Sequence, residues 1–360
     1  MSTIEVIRQG TIYEDPHHFS AWPSVCRRSN GELMVVFSGE REHHVCPFGK
    51  TVLIRSQDGG NHWSDPEIIN HTPLDDRDAG IIETREGTLL LFFFSSRAFA
   101  DWFERIKEVY QQELSSWQPY IDAITPEMEE RYLGSFVRRS EDGGATWGPL
   151  IPTPVSAPHG AIQCSDGLLR YLGKGVVAGE AVIASAHSTD DGRSWQLDGK
   201  VGRRDLIPEL DLDEPHLLEL KNGDLVGLMR TNSRDFDQMY LYQTISHDQG
   251  KHWSSPEKSN IWGHPPHMLR HSSGRYIVAS GHRRPPFGET LSLSENGIAW
   301  SHHTLIGESK PRKEENNWTP DLGYPCTAEL EDGTLLTVYY QTPAPGIPAQ
   351  IMGVWWRLLD

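Results

Sequence analysis

The sequence lacks the features that mark disulfide-bonded, metal-binding and membrane proteins. Its four cysteines are far apart and form no C-x-x-C pair; they are Cys26, Cys46, Cys164 and Cys326. That spacing argues against a zinc knuckle and against a disulfide framework. The N-terminal residues have neither a basic nor an apolar stretch, and no window reaches membrane-spanning length. We therefore expect a cytoplasmic protein with no membrane partner.

Positive charge is also scarce. Lys and Arg number 33 against 50 Asp and Glu, which gives a net charge of −17. Nucleic acid phosphates repel such an acidic chain, so we expect no nucleic acid partner. An acidic small substrate stays open, because a local group of arginines can bind an anion. His43 and His44 are adjacent and no His or carboxylate spacing supports zinc, so neither a metal nor a cofactor is expected.

What the chain does contain is a repeated octapeptide. The pattern S-x-D-x-G-x-x-W begins at Ser56, Ser140, Ser188 and Ser246, and a shortened copy begins at Ser294. The Asp can hydrogen-bond to nearby backbone, the Gly supplies a positive φ, and the Trp is a large apolar plug. Each copy is therefore predicted to close a turn between two strands.

A second repeated unit is a polar-Gly turn between two apolar runs, which is a strong hairpin signal. There are six such turns: Asn30-Gly31, Glu86-Gly87, Asp166-Gly167, Asn222-Gly223, Ser273-Gly274 and Asp332-Gly333. Each hairpin, with the strand pair around an octapeptide, makes a four-stranded antiparallel unit. The predicted fold is therefore all-β, a six-bladed β-propeller. The sixth blade lacks an octapeptide, and we predict that residues 350–358 and 4–13 complete it, which makes residues 1–360 a single domain.

Residues 97–133 differ from the rest of the chain. Apolar side chains recur there at helical spacing, at Trp102, Ile106, Tyr110, Leu114 and Trp117. The segment Thr125-Pro126-Glu127 has the N-cap, the first-turn Pro and the acidic residue of a second helix. This pattern predicts a helical hairpin inserted in blade two. The insertion is expected to act either as a packing or dimerisation element, which would give a homo-oligomer, or as a lid over the active face.

The six hairpins can be superposed on their turn glycines. The residues nine positions before each Gly are Trp22, Asp78, Pro158, Glu214, Pro265 and Tyr324, and three histidines follow closely, His159, His216 and His267. In a propeller these starts of the innermost strands surround the central channel on one face. The ends of the second strands bring Arg41, Arg230 and Arg283 to the same face. Ionisable residues crowded in this way indicate a functional site, with the octapeptide turns as scaffold on the opposite face.

The octapeptide is the Asp-box, or BNR repeat, and the whole chain resembles the sialidase superfamily of six-bladed propellers. Two segments carry the more specific likeness, Glu214–Arg230 and Gly323–Gly333. By that resemblance Tyr324 is the nucleophile, Glu214 is its base and Arg230 binds a sugar carboxylate. The arrangement makes chemical sense, because a phenol is a weak nucleophile until a neighbouring carboxylate takes its proton. The resemblance implies a glycan or small sugar as the substrate.

The sequence departs from the family at three places. Ala21-Trp22-Pro23 stands where sialidases have Arg-Ile-Pro, and Glu289 stands where a third Arg is expected. The loop after the first hairpin lacks the general-acid Asp, and its candidate replacement is Glu42, His43 or His44. Because a three-Arg clamp binds the carboxylate of sialic acid, we expect a different acidic sugar, such as a uronate.

Three functions follow from these residues. The first is a sialidase-like glycoside hydrolase, in which Asp78 and His44 join Tyr324 and Glu214 in catalysis. The residues expected to bind its substrate are Arg41, Arg230, Arg283, Trp22, His159, His216 and His267. The second is a lyase for uronate-containing sugars, with His or Tyr as base and acid and an unsaturated product. The third is a sugar-binding propeller without catalysis.

Overall fold

The computed structural model describes residues 4–101, 114–202, 211–233, 235–309 and 320–359. Its strands form six antiparallel sheets, five with four strands and one with five. Each sheet is one blade of a propeller, and the hairpins predicted from the polar-Gly turns form the inner strand pair of each blade. The predicted all-β, six-bladed propeller is therefore confirmed.

The strands are numbered along the chain. Blades one to three consist of β2 (Phe19–Arg27), β3 (Leu33–Arg41), β4 (Lys50–Ser56), β5 (Glu67–Asn70), β6 (Asp75–Glu83), β7 (Leu89–Ser96), β8 (Gly134–Ser140), β9 (Ile151–Pro152), β10 (Val155–Ser156), β11 (Ile162–Gln163), β12 (Leu169–Val177), β13 (Glu180–Ser188) and β14 (Gln196–Lys200). Blades four to six consist of β15 (Leu212–Glu219), β16 (Leu225–Thr231), β17 (Tyr240–Ser246), β18 (Glu257–Trp262), β19 (Pro266–Arg270), β20 (Tyr276–His282), β21 (Phe287–Ser294), β22 (Ser301–Ser309), β23 (Leu322–Glu329), β24 (Leu335–Gln341), β25 (Gln350–Leu358) and β1 (Ile4–Tyr13).

The two ends of the chain close the ring. Blade six has the strand order β1-β25-β24-β23, so the N-terminal strand is its outer edge, as predicted. Ile4 pairs with Leu358 and Gly10 with Gly353 along this edge. Trp355 of β25 donates its indole N–H to the carbonyl of Gly59 at 2.8 Å, which ties blade six to blade one. Closure by hydrogen bonds between the first and last strands holds the propeller as a ring.

The Asp-box turns are held by one repeated hydrogen-bond network. In the first copy, Ser56 Oγ donates to Asp58 Oδ1 at 2.9 Å and accepts the Gly60 amide at 2.9 Å, and Asp58 Oδ1 accepts the His62 amide at 2.9 Å. The same serine and aspartate contacts recur in the copies that begin at Ser140, Ser188 and Ser246. Gly60 has φ +84°, and a Cβ there would lie 2.6 Å from the ring of Trp355. These turns are therefore structural, as predicted.

Neighbouring blades pack through apolar clusters. The cluster between blades six and one includes Val35, Phe37, Leu336 and Val338, all with no exposed surface. Each such side chain contributes roughly 1.5–3 kcal/mol of burial free energy. The blades are thus held rigidly, and they fix the positions of the strand starts around the channel.

The insertion in blade two contains three described helices: α1 (Ala98–Asp101), α2 (Leu114–Asp122) and α3 (Pro126–Tyr132). Thr125 caps α3 and accepts the amide of Met128 at 3.3 Å, as the sequence predicted. Trp102, Ile106 and Tyr110, which were predicted to lie on the first helix, fall outside the described residues. Among the helices that the structure describes, none has the length and apolar character of a membrane span.

Candidate active site

Four of the superposed strand starts share an unusual backbone geometry. Trp22, Asp78, Glu214 and Tyr324 have φ of 54°, 52°, 43° and 55°, in the left-handed region that side chains other than Gly rarely adopt. Each lies at a register shift between the first two strands of its blade. The strain costs about 1–3 kcal/mol per residue and is concentrated at functional sites. We call these four residues together with Arg230 the axial site.

Tyr324, Glu214 and Arg230 form a hydrogen-bonded chain across blades four and six. The Tyr324 hydroxyl donates a short hydrogen bond to Glu214 Oε1. Arg230 Nη1 donates to Glu214 Oε2 at 2.7 Å and reaches the Tyr324 oxygen at 3.4 Å. A phenol whose proton already faces a carboxylate is the arrangement that nucleophilic catalysis requires.

Neighbouring charges shift the pKa values of Tyr324 and Glu214 in opposite directions. Burial raises the pKa of Tyr324 well above its ordinary value, and the negative charges of Glu214 and Asp78 raise it further. Burial also acts to raise the pKa of Glu214, but the charge of Arg230 and the Tyr324 hydrogen bond outweigh it and leave that pKa below its ordinary value. At neutral pH Glu214 is therefore an ionised acceptor and Tyr324 a neutral phenol. The pair is set for proton transfer from phenol to carboxylate.

Asp78 is the second carboxyl group of the axial site. It is only 7% exposed, and within the described ranges its Oδ1 has no hydrogen-bond partner. Burial raises the pKa of Asp78 to about 7, with Arg77 opposing this and the charge of Glu214 adding to it. A carboxyl group with that pKa can deliver a proton near neutral pH, whereas Glu214 cannot.

Arg283 and Arg77 add positive charge to the axial site. Arg283 Nε donates to the carbonyl of Leu322 at 2.7 Å, and its guanidinium lies 5.7 Å from the centre of the Tyr324 ring. Its Nη2 has no hydrogen-bond partner among the residues described. The Arg77 guanidinium stacks 4.3 Å from the centre of the Trp22 ring. With Arg230 these groups can receive an anionic substituent of a substrate.

Arg41 does not contribute to that set, although it was expected to bind substrate. It has no exposed surface, and it makes a two-pronged ion pair with Asp75 at 2.6 and 2.9 Å. Its other N–H groups donate to Ser38 and to the carbonyls of His43 and His44. The geometry therefore gives Arg41 a structural role, because every direction in which it could bind is occupied by protein. Arg77 is the blade-two arginine that reaches the axial site.

The three channel histidines come together, but not as a substrate surface. The ring centres of His216 and His267 are 4.5 Å apart, and that of His159 lies 5.1 Å from His267. All three residues are at most 9% exposed. Nδ1 of His216 accepts the amide of Met268 at 3.0 Å, and Nδ1 of His267 accepts that of Thr327 at 3.3 Å. These contacts do not support substrate binding; the imidazoles fill the channel as packing.

His44 packs edge-on against the axial-site residue Trp22, which is only 1% exposed and so offers a substrate almost no surface. Their ring centres lie 4.9 Å apart, and the His44 side chain is 44% exposed. His44 Nδ1 lies 3.2 Å from Asp321 Oδ2, and Asp321 Oδ1 accepts the Tyr340 hydroxyl at 2.6 Å. Asp321, Tyr340 and Arg77 were missed at the sequence level. A signal for Asp321 existed, since an Asp precedes the strand-start residue by three positions in blades two, four and six, as Asp75, Asp211 and Asp321.

The helical insertion supports the loop of His44 within the same chain. Trp117 of α2 is fully buried, and its indole N–H donates to Glu42 Oε2 at 2.6 Å. It packs with Val45, Cys46 and Phe99 in one apolar cluster. The insertion thus packs against the loop that carries His44. This contact favours the packing role over a lid.

One group of possible metal ligands occurs in the described part of the chain, Asp15, His18 and Glu40, whose ligand atoms lie within 4.8 Å of one another. His18 Nδ1 already pairs with Asp15 Oδ2 at 3.0 Å, and Glu40 lies 3.7 Å from Lys50. Contacts within the protein thus account for this group, and it carries no assignment.

Comparison with known proteins agrees with the propeller fold. Residues 162–337 match the BNR repeat-like domain family. A protein of unknown function from Dyadobacter fermentans DSM 18053 has 22% identity and a TM-score of 0.79, with all of both chains covered. The Hadza microbial sialidase Hz136 has 16% identity and a TM-score of 0.68 over 96% of this chain and 68% of its own. An α-L-arabinanase from Penicillium chrysogenum has 14% identity and a TM-score of 0.63 over 98% and 99%.

At these identities the solved structures establish the fold alone. Comparison with curated proteins by sequence gives no match. The repeats, the ring closure and the match over residues 162–337 agree with one another. The chain is a six-bladed β-propeller with Asp-box repeats, and it shares its fold with the solved structures named above.

Proposed function

We propose that the protein is a glycoside hydrolase that cleaves a carboxylate-bearing glycan through a covalent intermediate on Tyr324. The observation that carries this is the Tyr324–Glu214–Arg230 hydrogen-bonded chain at the start of two innermost strands. Asp78 supplies a second carboxyl group of different acidity on the same ring. Most glycoside hydrolases cleave the glycosidic bond with two carboxyl groups whose pKa values differ.

The first step joins the sugar to Tyr324. The phenol oxygen attacks the anomeric carbon while Glu214 takes the phenol proton, and Asp78 protonates the leaving oxygen as the glycosidic bond breaks. In the second step the deprotonated Asp78 takes a proton from water, whose oxygen attacks the anomeric carbon. Glu214 returns its proton to the departing phenol oxygen. Two displacements at one carbon retain its configuration.

The arginines favour an acidic sugar. Arg230 and Arg283 both lie close to Tyr324, and the charge of each acts to lower the pKa of the Tyr324 phenol. The Arg expected in the Arg-Ile-Pro segment is Ala21 here. Sialic acid is therefore the less favoured substrate, and a uronate or another carboxylate sugar fits the remaining donors better.

Elimination is the second candidate, and the channel histidines argue against one form of it. A lyase that uses histidine as its base needs an imidazole nitrogen facing the substrate. Nδ1 of His216 and of His267 is occupied by a backbone amide, and both rings are buried. An elimination with Tyr324 or the exposed His44 as its base is the alternative, and its product would absorb in the ultraviolet.

The test is a panel of chromogenic glycosides and uronate oligosaccharides, read for both hydrolysis and elimination. Tyr324→Phe is expected to lower kcat by at least about 1,000-fold because it removes the nucleophile. Tyr339→Phe is the matched control, since Tyr339 is a fully buried tyrosine whose hydroxyl contacts Gln9 and Gly307 instead. A Tyr324→Phe enzyme that keeps a tenth of its activity would refute the proposed mechanism.

A further inference from the structure

An exposed aromatic ring lies at the boundary of blades four and five. Phe236 begins a short 3₁₀ helix after β16, and 45% of its surface is exposed. Its ring packs edge-on against Trp262, with ring centres 5.2 Å apart. Trp262 is 5% exposed and donates its indole N–H to the Phe236 carbonyl at 3.2 Å. The Phe236 ring is therefore held in place, although one face is open to solvent.

A cation with unused hydrogen-bond donors covers the same Trp. The Arg284 guanidinium lies 4.1 Å from the centre of the Trp262 ring. Within the part of the chain that the structure describes, the Arg284 guanidinium has neither an ion-pair nor a hydrogen-bond partner. Arg284 therefore places a local positive charge on a chain whose net charge is −17. Its planar N–H groups remain free to bind a carboxylate or sulfate with two parallel hydrogen bonds.

Phe236 and Arg284 are continuous with the axial site. Arg284 follows Arg283 in the chain, and Arg283 lies against the Tyr324 ring. His264, which is 2% exposed, links the two areas: its ring centre lies 6.1 Å from that of Trp262, and its carbonyl would lie 3.5 Å from a Cβ at Gly323. A substrate that reaches beyond Arg283 on this side would therefore meet Arg284 and Phe236 next.

We infer that Phe236 and Arg284 form a subsite for a second, acidic sugar unit that adjoins the one cleaved at Tyr324. The C–H face of a pyranose is apolar and can cover the open face of the Phe236 ring. A carboxylate or sulfate on the same sugar can pair with Arg284, which is already oriented by Trp262. The inference rests on the proposed function and narrows it. The substrate is an acidic oligosaccharide rather than a simple glycoside.

The test measures binding rather than turnover, so that it does not depend on the proposed mechanism. The full-length Tyr324→Phe protein is titrated with trigalacturonate, a chondroitin tetrasaccharide and 3′-sialyllactose, and with the corresponding acidic monosaccharides, by calorimetry. Phe236→Ala and Arg284→Gln, each in that background, are expected to weaken binding of the preferred oligosaccharide about 10-fold. Binding of its monosaccharide is expected to change less than about twofold. The Arg284→Gln protein is also expected to show a smaller loss of affinity with added salt.

Two variants on the Asp-box face serve as controls, Ile298→Ala for the lost apolar surface and Arg193→Gln for the lost charge. Ile298 is 41% exposed and the Arg193 side chain is 56% exposed. Neither control is expected to change any affinity. Equal losses for oligosaccharide and monosaccharide, no loss in either variant, or no binding of any oligosaccharide would each overturn the subsite. Selective losses without hydrolysis by the wild-type protein would keep the subsite and reject the hydrolase.

Discussion

The three channel histidines make the propeller sensitive to acid in a way that can be measured. His159 contacts Ser24 Oγ through its Nδ1 at 3.0 Å, so the imidazoles connect blades three, four and five to blades one, five and six. Burial lowers the pKa of His216 to about 3 and those of His159 and His267 well below the ordinary value. Protonation of His216 or His267 would also set an N–H against the amide that Nδ1 now accepts. The native state therefore excludes these protons.

The magnitude follows from proton linkage. A folded-state pKa below the unfolded value means that the stabilisation is complete above pH 6.5 and is lost as pH falls. Between pH 7.5 and 5.5, a histidine that is protonated only when unfolded lowers the free energy of unfolding by about 1.4 kcal/mol. Three such residues lower it by roughly 4 kcal/mol. This is a large share of the roughly 5–15 kcal/mol that stabilises a typical domain.

Buried carboxyl groups with raised pKa values, among them Asp76, Asp78 and Glu289, act in the opposite direction. Burial raises the pKa of Asp76 and of Asp78 to about 7, so each gains a proton in the native state as pH falls. Over the same two pH units each adds about 2 kcal/mol of stability by the same linkage. These carboxyl groups therefore offset the effect of the histidines on the pH dependence of the wild-type free energy of unfolding. A variant that removes one imidazole exposes that effect.

His267→Asn is the appropriate variant, because its Oδ1 can still accept the amide of Thr327 in place of Nδ1. We expect the free energy of unfolding of this variant, relative to wild type, to rise by about 1.4 kcal/mol between pH 7.5 and 5.5. Urea unfolding followed by tryptophan fluorescence at the two pH values measures it. His302→Asn is the control, because His302 is exposed on β22. Equal pH dependence of the two variants would refute the assignment of His267 as neutral and buried.

Two further predictions concern activity. Asp78→Asn is expected to lower kcat about 100- to 10,000-fold for substrates with poor leaving groups, because it removes the acid that protonates the leaving oxygen. The wild-type rate is expected to fall as pH rises through about 7, where Asp78 loses its proton, and this decline should be missing from the variant's pH–rate profile; a decline that persists would assign it to another group. Trp117→Phe is expected to raise KM severalfold with kcat little changed, since it loses the indole hydrogen bond to Glu42 that fixes the loop of His44. Initial-rate kinetics measure the change in KM, with Tyr120→Phe as the control. Identical kinetics in the two variants would refute the idea that the insertion positions the loop of His44.

Most of the scaffold was predictable from the sequence because its signals are local. The Asp-box at Ser56 and the turn at Asn30-Gly31 each specify a backbone path within a few residues, and repetition multiplies the signal. The start of α3 was predictable for the same reason, because Thr125 caps the first turn directly. The ring closure by residues 4–13 followed from counting blades. It did not depend on any contact.

The members of the site were only partly predictable. Superposing the hairpins brought out Asp78, Glu214 and Tyr324 because they occupy equivalent positions in repeating units. The same superposition could not separate Arg41 from Arg77. Asp75 makes a close two-pronged ion pair with the fully buried Arg41 but lies 3.5 Å from Arg77, whose guanidinium stacks on Trp22 instead.

The amino-acid sequence by itself determined the number of blades, the closure of the ring and the face on which the strand starts meet, since turn chemistry and strand periodicity act between near neighbours. Only the tertiary structure decided which ionisable groups are usable. His216 and Glu214 are two residues apart in the same strand. Nδ1 of His216 accepts a backbone amide from blade five, whereas the carboxylate of Glu214 accepts the Tyr324 hydroxyl from blade six. Acidity and access depend on groups distant in the chain, and folding alone brings those groups together.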